Sequence, residues 1–208
     1  LLLYLTKYHL FADADGYLLL GTYAGLAVAL PLLGGLLADR YLGMRKAVIF
    51  GGLLLVLGQL GMAYTGQAAT GLQGQGTPDA FAVQVMYFSL ALIGVGVGFL
   101  KPNISTIVGR LYSDDDPRRD SGFTIFYMGI NIGAMIAPVL TQYLAERVFG
   151  TQAMPSYKMV FIASGIGMLI SLAWFYVGRA GLKGIGFKFD IGEDETGHQM
   201  KYFRRGGG

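Results

Sequence analysis

Five long apolar segments divide the chain, and charged or glycine-rich stretches separate them. A helix needs roughly 20 mostly apolar residues to cross a bilayer, and segments of that length lie at about 17–37, 47–66, 81–108, 123–145 and 157–177. They lack the alternation of apolar and polar positions that marks the strands of a membrane barrel. The pattern therefore predicts spanning helices.

The opening stretch LLLYLT, residues 1–6, has the same apolar character. It has neither an initiator methionine nor a preceding basic region, so it is not a signal peptide. We expect it to be the end of an earlier membrane helix whose beginning is missing, which would make six helices if that helix were whole. The predicted fold is an all-α integral membrane bundle over residues 1–178.

Lysines and arginines concentrate on one side of this predicted bundle. Twelve of the 16 basic residues fall in loop 38–46, in loop 110–122 or in the tail 179–208, against Lys7, Arg147 and Lys158 on the other side. Because cytoplasmic loops of membrane proteins carry an excess of lysine and arginine, we expect these two loops and the tail to be cytoplasmic. The protein would then be a multi-pass component of the cell (inner) membrane.

Composition narrows the classes of function. The chain is 53% hydrophobic and 14% charged, whereas soluble domains carry about 25% charged residues. It has no cysteine and two histidines, His9 and His198, which excludes disulfides, thiolate metal sites and histidine metal clusters. The net charge of +3 is spread over loops, which argues against nucleic-acid binding. No nucleophile–base pair suggests an enzyme.

One charged residue does not fit the pattern of spans. Lys101, within GVGVGFLKPNISTIVG, would lie about 7–8 Å from the middle of a helix over 81–112. None of the 13 carboxylates is inside a span, so no anion there can pair with it. The ammonium either snorkels to the headgroups or faces a water-filled path or a partner. The apolar residues beyond it favour the second alternative, and Pro102 can kink the helix there.

Glycines four residues apart recur in the predicted spans. Such GxxxG pairs let membrane helices approach closely, and they occur at Gly21 with Gly25, Gly94 with Gly98, and Gly129 with Gly133. The GVGVG run resembles a nucleotide-binding pattern only superficially, because no strand precedes it. These glycines predict a tight bundle rather than a chemistry.

A second polar intrusion is FYMGINIG, residues 126–133. Tyr127 and Asn131 are four residues apart and share a helix face. Asn131 either makes an interhelical hydrogen bond that joins two helices, or both side chains face the cavity lined by Lys101. The residues alone leave these two alternatives open.

A third feature is the loop segment GGLLADRYLGMRKA, residues 34–47. Asp39 could cap the following turn, while Arg40, Arg45 and Lys46 could simply follow the positive-inside rule. Each residue thus has a structural explanation, and the order of the whole set is what is unusual.

Together the three segments resemble a known family. GGLLADRYLGMRKAV resembles the loop motif of the major facilitator superfamily, and GFLKPNIS and FYMGINIG resemble the proton-dependent oligopeptide transporters. GTPD at 76–79 and the opening LLLYLT fit the same family, so the resemblance covers about residues 1–178. It implies a symporter made of two six-helix bundles that imports di- and tripeptides with protons by alternating access. This chain would be the N-terminal bundle, in need of the C-terminal bundle and without a cofactor other than protons.

The resemblance also implies roles for individual residues. Lys101 matches a central-cavity lysine tied to the peptide carboxylate and to proton coupling, and Asn131 matches an asparagine that contacts the peptide backbone. Tyr127 would face the same cavity. The cytoplasmic motif that latches the two bundles together is matched by Asp39, Arg40 and Arg45.

The chain departs from the family pattern in two places. The first-helix motif ExxER, used for proton coupling, would precede Leu1. A tyrosine usually lies three residues before the second-helix proline, but Val28 precedes Pro31 at that distance, which leaves one expected substrate hydroxyl missing. Gly21 stands where animal members carry histidine, which favours a bacterial protein.

The tail, residues 179–208, is glycine-rich and charged and contains no span. It is either a cytoplasmic linker to the second bundle or a set of discontinuous pieces. Two other functions remain open: a relative that moves another small anionic or nitrogenous solute, and a structural or channel-like membrane subunit.

Overall fold

The computed structural model describes residues 1–113, 115–152 and 154–182, and most of these residues are helical. The five long helices are α1 (Asp13–Leu37), α2 (Met44–Met62), α3 (Ala80–Arg110), α4 (Arg118–Tyr143) and α5 (Tyr157–Gly178). Short helical turns precede or extend them at Tyr4–Tyr8, Ala38–Leu42, Leu144–Val148 and Arg179–Leu182. All five helices are long and apolar enough to cross a membrane, which confirms the predicted spans and the all-α fold. The predicted tail lies outside the described residues from position 183 onward.

Three helix boundaries differ from the predicted spans by four or five residues. α1 begins at Asp13, before the predicted 17. α2 ends at Met62, before the predicted 66, and the chain then turns at Gly66, whose φ of 62° suits glycine. α4 begins at Arg118, before the predicted 123. There the Asp116 carboxylate accepts hydrogen bonds from the Arg118 guanidinium and backbone N–H, both at 2.9 Å. These bonds hold the pKa of Asp116 below its ordinary value and secure the first turn of α4.

α3 is the central helix of the packed core, with α1 and α2 against it and α5 against α2. A Cβ on Gly96 of α3 would lie 2.8 Å from the Gly51 carbonyl oxygen of α2, and a Cβ on Gly34 of α1 would collide with the Gly98 carbonyl. Neither position has room for a larger residue, because the obstructing atoms belong to backbone. The close-packing role predicted for the GVGVG run is confirmed.

Two apolar clusters hold the ends of the bundle. At the end where loops 38–43 and 111–117 lie, which we call the basic end, Met44, Val48 and Ile107 are buried against Phe175 of α5. The cluster at the opposite end joins the N-terminal turn to α2, α3 and α5; its buried members are Tyr4, Leu5, Met62, Met86, Leu90 and Ile93. The clusters therefore hold α2, α3 and α5 together at both ends of the bundle and the N-terminal turn at one of them.

α4 and the outer face of α1 stand apart from this core. None of the residues of α4 is buried, and a Cβ on Gly129 or Gly133 would meet nothing within 4 Å. The same is true of Gly21 and Gly25 on α1. The prediction of close packing is therefore wrong for these two glycine pairs within the part of the chain that the structure describes. These glycines lie on faces of α1 and α4 that no described helix covers.

Candidate functional site

Lys101 lies deep in α3, nine residues before the helix ends at Arg110, or about 13 Å along its axis at 1.5 Å per residue. Within the described ranges, it is the only Lys, Arg, His, Asp or Glu more than two turns from both ends of a long helix. Its side chain is exposed. An ammonium at this depth is costly in a membrane and usually faces water or a partner, so the exposed face of α3 at this level is a candidate binding surface.

The residues that follow Lys101 fix the backbone around it. Pro102 has no N–H to donate to the Gly98 carbonyl one turn earlier, and α1 crosses α3 at this carbonyl. A Cβ on Gly35 of α1 would lie 3.7 Å from Pro102, so the proline ring packs at the same crossing. Asn103 is buried and its amide donates to the Phe99 carbonyl at 2.7 Å. The KPN sequence thus anchors this level of α3 while the lysine side chain stays outside the core.

Tyr127 and Asn131 form an exposed polar pair on α4. The Asn131 amide donates to the Tyr127 carbonyl at 2.9 Å, and the Tyr127 ring stacks on Phe123 with centroids 6.3 Å apart. Asn131 therefore bonds within its own helix and not across to another one. Its amide carbonyl and the tyrosine hydroxyl remain available to a ligand.

The structure does not join these two residues to Lys101. Neither side chain makes a hydrogen bond to the lysine among the described residues, because α3 and α4 meet mainly near their connecting loop. There a Cβ on Gly109 would lie 3.2 Å from the Phe123 ring. The cavity role predicted for Lys101, Tyr127 and Asn131 remains a prediction.

The motif segment of the basic end forms the turn between α1 and α2. Asp39 and Arg40 lie in the π-helical turn Ala38–Leu42 and are exposed. No side chain caps α2; instead Gly43, with a φ of 78°, starts the helix and donates its N–H to the Ala38 carbonyl at 2.7 Å. The suggested capping role of Asp39 is therefore wrong. Arg45 is half-buried in the first turn of α2. The motif therefore places one acidic and two basic residues at the edge of the basic end, which we call its rim.

A family model matches residues 45–195 and describes the POT family. This match covers more than half of the chain. The chain belongs to the POT family. Members of this family are transporters, which confirms that the chain is not an enzyme.

Individual relatives of the POT-family chain are consistent with this assignment. It is 37% identical over 161 residues to the "Uncharacterized transporter YclF" of Bacillus subtilis (strain 168) and 39% identical over 164 residues to the "Di-/tripeptide transporter" of Lactobacillus helveticus. Each alignment covers 77% of this chain, but only 28% and 30% of the respective relatives. The chain thus spans less than a third of the length of these relatives.

The fold agrees with that of a solved family member. The crystal structure of a mutant of the peptide transporter POT in complex with alafosfalin superposes with a TM-score of 0.72 at 31% identity. The match covers 92% of this chain and 35% of the other. The POT-family chain is therefore a multi-pass membrane protein built on the N-terminal part of this transporter fold.

The POT-family chain carries a second polar feature, at the end opposite the basic one. His9 is fully buried there, next to Tyr4 and Tyr8. The sequence offered one signal, the aromatic spacing in YLTKYHLF. Sequence reasoning used this histidine only to exclude metal clusters, because its burial depends on α5 and on loop 63–79, both distant along the chain.

Proposed function

We propose that this chain is the N-terminal bundle, residues 1–178, of a proton-coupled symporter that imports di- and tripeptides by alternating access. The observation that carries the proposal is the exposed Lys101 ammonium deep within a spanning helix. The names of the relatives support the substrate class, since one is a di-/tripeptide transporter. The remaining two thirds of such a transporter would supply the second bundle and cover the open faces of α1 and α4.

In this proposal Lys101 binds the carboxylate of the peptide. A charge-assisted hydrogen bond between an ammonium and a carboxylate is roughly twice as strong as a neutral one, and a site shielded from water strengthens the attraction further. Tyr127 and Asn131 would bind the peptide backbone, because a hydroxyl and a primary amide can each donate and accept. The described part of α4 would have to approach α3 when the cavity is complete.

Proton coupling follows from the charge balance of the same site. No carboxylate lies at the depth of Lys101 in the described spans, so a carboxyl group from elsewhere in the transporter must alternate with the peptide as its partner. Protonation of that group would release Lys101 to the peptide carboxylate. Protons would be the coupling ion, and no other cofactor is needed for this cycle.

The rim of the basic end would act as a latch. Asp39 and Arg40 are exposed and Arg45 is half-buried at the turn between α1 and α2, where they can form and break ion pairs with a second bundle. We place this end in the cytoplasm of a cell (inner) membrane protein, because cytoplasmic loops are rich in lysine and arginine.

One observation favours a second candidate, a transporter of another small anionic or nitrogenous solute. Val28 is 76% exposed on α1, at the position where the family resemblance led us to expect a tyrosine hydroxyl. An apolar side chain at this point removes one polar contact for a peptide. Competition by unrelated small anions and amines in the uptake experiment below would separate the two candidates.

The test is dipeptide uptake by the full-length protein in liposomes under an imposed inward proton gradient. We expect gradient-dependent accumulation that falls about 10- to 100-fold in Lys101→Ala, because a hydrogen bond to a charged group contributes about 1.5–3 kcal/mol. Lys158→Ala, at the first turn of α5, is the matched control and should transport normally. No accumulation by the parent would contradict peptide–proton symport. Undiminished accumulation in Lys101→Ala would return the lysine to a snorkelling role.

A further inference from the structure

His9 is enclosed in a cage of aromatic rings at the end of the bundle opposite the basic end. Its exposed fraction is 0%. The ring centroids of Tyr4, Tyr8 and Phe11 lie 4.7, 5.3 and 6.2 Å from that of the imidazole. Tyr157 of α5 closes the cage from outside, 5.5 Å from Tyr4. The histidine therefore sits where the N-terminal turn meets α5.

Neither ring nitrogen of His9 has a hydrogen-bond partner among the described residues. Burying an unpaired polar group costs free energy, and burying an unpaired charge costs much more. The neutral imidazole is therefore the form that this cage accepts. In agreement, burial lowers the pKa of His9 below its ordinary value, against the weaker opposing effect of the Asp79 carboxylate.

Loop 63–79, which we call the strap, is bound directly to the residues around His9. The Tyr8 hydroxyl donates to the Gly66 carbonyl at 2.9 Å, and the Ala69 N–H donates back to the Tyr8 carbonyl at 3.0 Å. The Gly74 N–H donates to the Leu10 carbonyl at 2.8 Å. Both neighbours of His9 in the chain thus hold the strap.

The backbone next to His9 is strained in this arrangement. Leu10 has a φ of 54°, a left-handed conformation that is uncommon for residues other than glycine. Such strain persists only where surrounding contacts enforce it, and the hydrogen bond from Gly74 to the Leu10 carbonyl is one of those contacts. Release of the strap would therefore also relax this turn.

Few charged or titratable groups lie where they could stabilise a protonated His9. On its own segment Lys7 is exposed, and Tyr8 already bonds to the strap. The relevant group from the strap is Asp79, from α3 Tyr87, from α1 Asp15, and from α5 Tyr157. Asp79 is engaged by the backbone N–H groups of Phe81, Ala82 and Gln67. An open cavity of about 510 Å³ adjoins His9. Asp15 and Tyr87, which are both exposed, also line this cavity.

We propose that His9 is a proton-binding site whose protonation releases the strap from the N-terminal turn. In the strapped state the imidazole is buried and neutral. Once the strap opens, water from the adjacent cavity can solvate the imidazolium and Asp15 can approach it. Protons therefore bind the open state in preference to the strapped one, and acid shifts the population towards the open state.

The sign of the pH effect follows from linkage. A histidine whose pKa is lowered in the strapped state stabilises that state fully above its ordinary pKa of 6.5. As the pH falls below this value, the ratio of open to strapped molecules rises, by at most tenfold per pH unit for a single proton, and it levels off below the lowered pKa. For transport this inference rests on the proposed function, in which the strap lies outside the cell, on the side from which protons enter.

The experiment labels a cysteine placed under the strap of the full-length protein in liposomes. Ala69 is half-buried and bonded to Tyr8, so Ala69→Cys should react with a bulky maleimide only when the strap opens. Leu72→Cys, at a position that is 74% exposed, corrects for the pH dependence of the thiol reaction. Both are measured with His9 intact, with His9→Phe, which keeps an aromatic ring in the cage, and with His198→Gln as the matched control.

We expect the ratio of the two labelling rates to rise as the pH falls below 6.5 with His9 present, by at most tenfold per pH unit for a single proton. It should stay flat in His9→Phe and be unchanged in His198→Gln. A flat ratio in the parent, or the same rise in His9→Phe, would overturn the proposal. If His9→Phe fails to fold, NMR titration of histidine-labelled parent protein decides, since a His9 pKa at or above 6.5 would also overturn it.

Dipeptide uptake in the same liposomes separates this inference from the proposed function. A parent protein that opens its strap in acid but accumulates no peptide contradicts the transport proposal and leaves the His9 site standing. A parent that accumulates peptide with a flat labelling ratio does the reverse.

Discussion

Lys101 and His9 show how differently one protein can hold two basic side chains. The lysine is exposed on α3, and the described spans offer it no acid at its depth. The histidine is enclosed by aromatic rings and bonds to nothing in the described residues. In our proposals, the exposed lysine binds a substrate, whereas the buried histidine responds to protonation. At the residue scale, solvation rather than residue type assigns the two roles.

A third residue, Asp79, carries a prediction at this scale. Its carboxylate caps α3 by accepting the N–H groups of Phe81 at 3.0 Å and Ala82 at 3.2 Å, and it also accepts that of Gln67 in the strap at 3.4 Å. The Ala82 and Gln67 bonds above all hold its pKa below the ordinary 3.8. We expect Asp79→Ala to lower the thermal midpoint of the purified protein, and Asp79→Asn, which keeps an acceptor oxygen, to stay close to wild type.

The pH dependence of the stabilisation by Asp79 provides a control for this experiment. Because the pKa is lowered in the folded state, the contribution is fully present above pH 3.8 and is lost as the pH falls through the lowered value. The gap in thermal midpoint between wild type and Asp79→Ala should therefore be constant from pH 5 to 8. A gap that changes within that range would point to His9 or another group rather than to the cap.

The helices themselves were largely predictable from the pattern of apolar residues. Length and hydropathy located all five spans, because a spanning helix must be long and apolar whatever its partners are. The start of α4 was missed, since it depends on the bonds between Asp116 and Arg118. The predicted packing of glycine pairs was correct for Gly94 and Gly98 alone, because spacing shows that a face can pack but not what lies opposite.

The crossing of α2 and α3 carries the prediction at the scale of elements. A side chain on Gly96 would meet the Gly51 carbonyl oxygen at 2.8 Å and the Leu55 N–H nitrogen at 3.0 Å, and backbone atoms cannot move aside as a side chain can. We expect Gly96→Leu to destabilise the fold by about 1–3 kcal/mol or more. Thermal unfolding in detergent, followed by size-exclusion chromatography, measures the loss.

Gly167→Leu is the matched control for this substitution. Gly167 lies in α5, and a Cβ there would meet nothing within 4 Å of the described chain. It should therefore unfold at nearly the wild-type temperature. Equal losses in the two variants would mean that glycine itself, through helix flexibility, matters more than the close approach of α2 and α3.

At the scale of the whole molecule, the bundle is closed on one side and open on the other. α2, α3 and α5 share buried clusters near both membrane faces, while α4 buries none of its residues. The candidate substrate side chains Lys101, Tyr127 and Asn131 all belong to the exposed part. The sequence pointed to them as candidates because they are polar or charged residues within apolar segments. Their mutual placement could not be predicted, since it depends on long-range packing, and the chain aligns with only 30% of the Lactobacillus helveticus relative.

This division leads to the prediction for the complete protein. If the described bundle is one half of a transporter, residues 1–208 expressed alone should enter the membrane yet accumulate no dipeptide under a proton gradient. The physical reason is that Lys101 then lacks an exchangeable acid and the open faces of α1 and α4 lack a partner. Co-expression of the remaining part of the full-length protein as a separate chain should restore uptake, and Lys101→Ala in residues 1–208 should abolish the restored uptake. Accumulation by residues 1–208 alone would mean that the cavity and the proton partner are complete without a second bundle, and it would refute the two-bundle proposal.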